Sequence, residues 1–340
     1  MNPVPDMWRT AAGWLLLSIS LLTASGAGAE TGSPLTLEAT IPLNDVSGRI
    51  DHMAFDRDRS RLLVAALGNN TLEVIDTRTG KPVGRIAGLD EPQGVAWSEK
   101  TGMILVANAG DGSVQIFQAA DLAPVGRIDL HRDADNIRID PRNGDVVVGY
   151  GSGGLAIIDP ARRAVVGTIS LPAHPEGFQI DPGNGKAYVN IPDADQIAVV
   201  DLDARRQVGT WKVPQLRGSF PMAFDSQSGV VASVFRSPSR LVLLERGAGR
   251  VIANTPTCGD ADDVFFDTRR QRIYVSCGSG EIAIFQRRGE TLDPLPSVKT
   301  SLGARTSMFL LEADRLYVAE RGSVLRSNAA ITVYRPEPHQ

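Results

Sequence analysis

Seven short segments of this chain look alike: IDHMAFD, PQGVAWS, ADNIRID, PEGFQID, SFPMAFD, ADDVFFD and RTSMFLL. Their matching positions, the last residue in the first six and the next to last in the seventh, are Asp56, Ser98, Asp140, Asp181, Asp225, Asp267 and Leu310, at successive spacings of 42, 42, 41, 44, 42 and 43 residues. A period of about 40–45 residues built from short strands marks a β-propeller. Each repeat is then one sheet that cannot bury its own faces and must stack against its neighbours.

Every repeat runs through the same order. A first strand ends at the anchor residue and enters a turn such as Asp140-Pro141-Arg142-Asn143-Gly144. There the Asp can bond its own backbone, Pro presets φ and Gly takes positive φ. A β-branched second strand follows (LLVAA, ILVAN, VVVGY, AYVNI, VVASV, IYVSC, LYVAE), then a third (LEVID, VQIFQ, LAIID, IAVVD, LVLLE, IAIFQ, ITVY), then a fourth such as PVGRIAG. No helical apolar stripe occurs after residue 30, which excludes helical and α/β folds. The seventh repeat ends after its third strand at Tyr334, and Leu37–Leu43 near the front carries the missing pattern. That segment is expected to complete the last blade, close the ring and remove an exposed edge. The expectation is an all-β, seven-bladed propeller of four-stranded blades. It forms one domain over residues 30–340, ordered from about Leu35 to Pro336.

The first residues read as a targeting segment. Arg9 precedes the apolar run Trp14 to Leu22, and Ala27-Gly28-Ala29 forms a cleavage pattern, so residues 1–29 are expected to be a signal peptide. The run is shorter than the ~20 residues of a membrane span. No cysteine follows it for lipid attachment, and the single Arg9 gives no twin-arginine signal. The mature chain is therefore expected to be exported, periplasmic or extracellular, with no membrane span. A net charge of −4, with basic residues scattered among acidic ones, speaks against a nucleic-acid partner. A monomer is expected.

Both cysteines, Cys258 and Cys277, flank a stretch with four aspartates. Val264–Phe266 should pair with Arg272–Val275 around a turn at Arg269-Arg270, setting Asp263 opposite Cys277. Cys258 would lie in the loop leading into the same end of the blade. An oxidising compartment favours a disulfide there, contributing roughly 3 kcal/mol. The spacing is too long for a zinc pair, and no C-x-x-C or C-x-x-C-H occurs.

The second strands Ile104–Asn108, Ala187–Asn190, Ile273–Ser276 and Leu316–Ala319, with Ile139-Asp140-Pro141 and Ile180-Asp181-Pro182, carry a family likeness. The chain resembles the YVTN-repeat (YncE-like) β-propellers of exported bacterial proteins over essentially its whole mature length. The resemblance implies fold and export but not activity, since this scaffold hosts binding proteins, lyases, lactonases and cofactor domains. Two repeats depart from the pattern. The fifth lacks the tyrosine and the short Gly turn, and the seventh has a longer loop from Arg321 to Ala330.

First strands line a propeller's channel, and a ring of loops at one mouth makes a concave site on a rigid scaffold. Five residues before each anchor stand Asp51, Gln93, Asp135, Glu176, Phe220, Asp262 and Arg305. The next position adds His52, Asn136, Asp263 and Thr306. Ligand-binding candidates are Asp51, His52, Gln93, Asp135, Asn136, Glu176, Asp262, Asp263 and Arg305. Crowded carboxylates raise one another's pKa unless a cation relieves them, so a divalent metal is a candidate cofactor, with His52, Asp135, Glu176 and Asp262 as ligands. No cofactor is otherwise assigned. His131 and His174 also fall in these leading segments. Capping of strand backbone and ordered water would equally account for such polarity.

Three functions stay open. The first is a non-enzymatic scaffold binding a small molecule or protein partner at the mouth, favoured because no G-x-S-x-G or H-E-x-x-H motif occurs. The second is a metal-dependent, lactonase-like hydrolase or lyase, with Glu176 or His52 as general base. The third is a redox cofactor-binding propeller.

Overall fold

The second strand of each repeat is buried along nearly its whole length. Arg61–Ala66, Met103–Asn108 and Arg272–Cys277 show no in–out alternation. Such strands need cover on both faces, and only blades stacked on either side can supply it. The computed structural model describes residues 32–322 and 328–338 and shows this arrangement. The leader expected over residues 1–29 lies outside the described residues, as does much of the long seventh-repeat loop.

Seven four-stranded antiparallel sheets form among the described residues. Six consist of four consecutive strands. The seventh combines Ser307–Leu310, Arg315–Glu320 and Ala329–Pro336 with Leu35–Leu43 from the front of the chain. Leu35 pairs with Pro336 and Leu43 with Ala329, so the expected closure holds. First strands touch one another in succession around the whole ring, and the last touches the first. The core is therefore divided among the interfaces between blades. One apolar cluster, for example, joins Leu63, Leu72 and Ile86 of blade one to Val95, Trp97 and Ile104 of blade two.

The outer strands carry the ring's edges. Lys81–Ala87, Ala164–Ser170 and Arg206–Trp211 are largely exposed. Each pairing of an outer strand with its neighbour carries a register shift, at Val74/Ile75, Ile116/Phe117 and Ile157/Ile158 among others. A bulge twists an edge away from edge-to-edge pairing. Gly84 lies in one of these strands, and a Cβ there would stand 2.7 Å from Leu122 Cδ1 of the next blade. The glycine lets adjoining blades meet.

The repeat's anchor aspartates are structural. Asp56, Asp140, Asp181 and Asp267 are at most 2% exposed, at the turn ending each first strand. Asp181 Oδ1 accepts from the Gly183 N–H at 2.8 Å, and Asp267 Oδ1 accepts from Arg269 and Arg270 N–H, both at 3.1 Å. Each also meets a guanidinium: Arg61 at Asp56 (2.6 Å), Arg142 at Asp140 (2.7 Å), Arg246 at Asp181 (3.4 Å) and Arg270 at Asp267 (3.0 Å). The second-strand tyrosine completes the clamp in blade six, where the Tyr274 hydroxyl donates to Asp267 Oδ2 at 2.8 Å. The Asp–turn–Tyr-Val pattern is thus one hydrogen-bonded unit.

Cys258 and Cys277 form a disulfide with Cα atoms 5.9 Å apart. The expected register needs correction. Asp263 faces Ser276, and Ala261 faces Cys277, because a bulge intervenes between Ala261 and Asp263. The bond therefore ties the second strand of blade six to the loop preceding its first strand.

Candidate functional site

At the other end of the first strands, the channel opens into a cavity of about 280 Å³. Its wall includes all seven residues standing five places before the anchors, Asp51, Gln93, Asp135, Glu176, Phe220, Asp262 and Arg305. His52, Asn136 and Asp263 from the next position line it too. Thr306 instead donates its hydroxyl to the Ile50 carbonyl at 3.2 Å, buried in the wall.

Two adjacent residues on one strand ordinarily point to opposite faces. Here the pairing is irregular at the position concerned. Register shifts fall between Pro92 and Val95, Ala134 and Ile137, Ser219 and Met222, and Ala261 and Asp263. A bulge re-aims side chains in this way, so Asp135 with Asn136 and Asp262 with Asp263 both reach the cavity. In blade four the same place lies ahead of the regular strand, where Glu176 N–H donates to Asn190 O and Asn190 N–H to Gly177 O. Gly177 is required there, since a Cβ would sit 2.5 Å from the Phe220 carbonyl oxygen.

The wall divides into two sides by charge. On one side Arg236 Nη2 lies 2.6 Å from Asp262 Oδ1 and stacks its guanidinium 3.7 Å above the Phe220 ring. Arg305 lies 2.9 Å from both Asp262 Oδ2 and Asp260 Oδ1. Asp260 and Asp262 thus each have a fixed guanidinium, while the neighbouring Asp263 accepts the Ser307 N–H at 2.7 Å. Between the sides, Arg49 holds Asp51 at 2.7 Å. Gln93, with its amide nitrogen turned toward the carboxylates, donates to Asp51 Oδ2 and Asp135 Oδ1 at 3.3 Å each.

On the other side Asp133, Asp135 and Glu176 have His174 as their cationic neighbour. His174 Nδ1 donates to the Gly151 carbonyl at 2.6 Å and lies 3.5 Å from Asp133 Oδ2, while Nε2 lies 3.7 Å from Asp135 Oδ2. Burial would lower the imidazole's pKa, but its bonds to Asp135 and Gly151 and the charge of Asp133 raise it to about 9. Burial first, then the Asp135 charge, pushes Glu176 up to about 8. Burial likewise lifts Asp51 to about 6 and Asp263 to about 7, against the lowering pull of His52 on each. Arg138, stacked 5.6 Å from the Phe178 ring, is held below the usual guanidinium range by burial, with Asp263 and Asp135 opposing.

Among the described residues, the grouping whose ligand atoms all lie within 4.8 Å of one another is Asp135, His174 and Glu176. It shares two residues with the set expected from the sequence. Of the other two, Asp262 is engaged by Arg236 and Arg305, and His52 lies 3.8 Å from Asp51. His131 is exposed beside Asp129 and does not line the cavity. The expected candidates omitted Arg49, Asp133, Arg138, His174 and Arg236. Three of these had a readable signal. Arg49, Asp133 and His174 each stand two residues before a ring position, the interval that keeps an extended chain's side chains on one face. Arg236 comes from the irregular fifth repeat, whose second strand runs on to Ser237.

No protein-family profile matches this chain, and no curated protein matches it. Among solved structures, it is similar to hydrazine synthase from Kuenenia stuttgartiensis. The TM-score is 0.73 at 17% identity, covering 90% of this chain and 97% of that one. The likeness extends to the fold. No helix among the described residues is long and apolar enough to cross a membrane.

Proposed function

We propose that this chain is an exported propeller of the YncE-like kind whose channel mouth binds a small, polar, positively charged ligand without transforming it. The observation that carries the reading is the uneven wall. Within 4 Å, Asp133 and Asp135 meet the His174 imidazole and no guanidinium among the described residues. His52 acts on Asp135 and Glu176, and Arg138 on Asp135, only at longer range. Asp260 and Asp262, by contrast, are met directly by Arg236 and Arg305. Asp133 and Glu176, raised by burial and by the charge of Asp135, lose that penalty when a cation enters. The cavity has the volume of about nine liquid waters, at ~30 Å³ each, and so suits a ligand of small-metabolite size. Its lining consists of carboxylate, imidazole, guanidinium, amide and apolar groups, with no hydroxyl, thiol or amine side chain. Acyl transfer on a Ser, Thr, Cys or Lys nucleophile therefore has no group to use among the described lining residues, and the reading rests on binding. Export is supported by the leader pattern over residues 1–29 and by the disulfide, and the mature chain is proposed to act as a monomer.

Titration calorimetry with 1,4-diaminobutane as a minimal organic dication tests the reading. Saturable binding is expected, weakened at least tenfold in Asp135→Asn and unchanged in Asp203→Asn, which alters an exposed carboxylate that does not line the cavity. Binding that is indifferent to Asp135→Asn would place the ligand elsewhere and end the proposal.

A further inference from the structure

We infer that Asp135, His174 and Glu176 form a mononuclear site for a divalent first-row transition metal, with Asn136 supplying a fourth donor. The inference rests on the cation-binding reading above and names the cation's chemistry.

The first support is the fixed orientation of the His174 ring. Its Nδ1 donates to the Gly151 carbonyl at 2.6 Å, which leaves Nε2, on the side facing Asp135, as the nitrogen a metal would take in place of its proton. A backbone carbonyl or carboxylate on the far nitrogen is how proteins commonly orient a ligating imidazole. The second support is spacing. The donor atoms lie within 4.8 Å of one another, and neighbouring ligands on a shared ion at ~2.1 Å stand roughly 3–3.5 Å apart. Side-chain rotation alone can close that difference.

A third, independent observation is the Asn136 amide. The residue is 1% exposed, lines the same cavity beside Asp135, and has its Oδ1 without a hydrogen-bond partner. Buried polar atoms left in this state ordinarily have an unplaced water or ion to explain them. One imidazole with two carboxylates and an amide oxygen suits zinc, manganese or iron(II), since all-oxygen shells are the usual choice of calcium and magnesium. The channel above leaves room for an exchangeable water or a ligand on the ion.

Chelator-treated, untagged protein titrated with zinc chloride tests this, with bound metal measured after gel filtration. One equivalent is expected, together with at least tenfold weaker binding in His174→Ala and in Glu176→Gln. Asp203→Asn, at an exposed carboxylate that does not line the cavity, should bind zinc as the parent does. Circular dichroism and thermal melting of each variant separate a lost site from a lost fold, and Asp135→Asn replaces any variant that fails to fold. Less than a tenth of an equivalent, or one equivalent that survives both His174→Ala and Glu176→Gln, overturns the inference. If 1,4-diaminobutane binds in an Asp135-dependent manner while zinc does not, this site falls and the broader reading stands. If neither binds, both fall.

Discussion

At the turn end of blade six, Asp267 accepts two backbone N–H groups and a tyrosine hydroxyl and faces Arg270 at 3.0 Å. At the mouth end of blade four, Glu176 stands among Asp135, His174 and Asp262, and burial pushes it up to about 8. Both carboxylates recur at the repeat's spacing, and a chain read by composition alone would not separate them. Their surroundings do. A carboxylate wrapped in donors is part of the fold, because its removal strands buried partners. A carboxylate held against its neighbours' charge contributes little to the fold and is set up for something absent from it. Partner supply, and not acidity, distinguishes scaffold from site.

The largest expected effect breaks the clamp. Asp267→Ala should cost about 3–5 kcal/mol of unfolding free energy, since it leaves the Tyr274 hydroxyl and the backbone N–H groups of Arg269 and Arg270 without their acceptor, at about 1–3 kcal/mol each, while Arg270 keeps Asp314. Urea denaturation reads this, and a loss below about 1 kcal/mol would erase the distinction between the two ends.

Next in size is the disulfide, which secures the mouth of blade six covalently where hydrogen bonds secure the turn. Replacing Cys258 and Cys277 together by alanine should cost roughly 3 kcal/mol. It should also loosen the loop carrying Asp260, so that hydrogen exchange rises around residues 257–262 and not around Asp267. Uniform exchange at both ends would contradict that localisation.

A smaller effect follows from pH. Asp51, Asp263 and Glu176 have folded pKa values raised above their unfolded ones, as do His52 and His174. The folded protein therefore holds more protons than the unfolded chain between the two sets of values. Stability from these groups is fully present below the unfolded values of 3.8 to 6.5 and is lost as pH rises from there through the folded values of about 6 to 9, at up to ~1.4 kcal/mol per pH unit for each excess proton. Thermal melting should show a lower midpoint at about pH 8.5 than at about pH 5.5. Asp263→Asn should flatten the slope. A midpoint that climbs over this interval would count against the account. The smallest change is expected for Glu176→Gln, which keeps the shape of the protonated acid and should leave stability unchanged or raise it by up to about 2 kcal/mol at neutral pH.

The period was legible because blade geometry repeats it. Asp, turn and tyrosine must recur together to close each hairpin, and an outer strand must come from somewhere to close the ring. The position of the mouth followed from the same spacing, since all seven residues five places before the anchors face one cavity. What the spacing did not reveal lies in the bulges and the pairings. The bulge at Asp262 moved Cys277 from Asp263 to Ala261, and nothing in the local residue types announces it. His174 displaced His52 from the metal-like grouping because the Gly151 carbonyl, 23 residues earlier in the chain, orients it. Arg236 reaches the mouth only because its strand outruns those of the other blades.

Carboxyl-resolved carbon-13 NMR across a pH titration puts the contrast to its most direct test. The account predicts that the Glu176 carboxyl titrates near pH 8 in the folded, ligand-free protein and shifts sharply downward when a cation occupies the mouth. A Glu176 carboxyl that titrates at the ordinary glutamate value, or one indifferent to added cation, would contradict it.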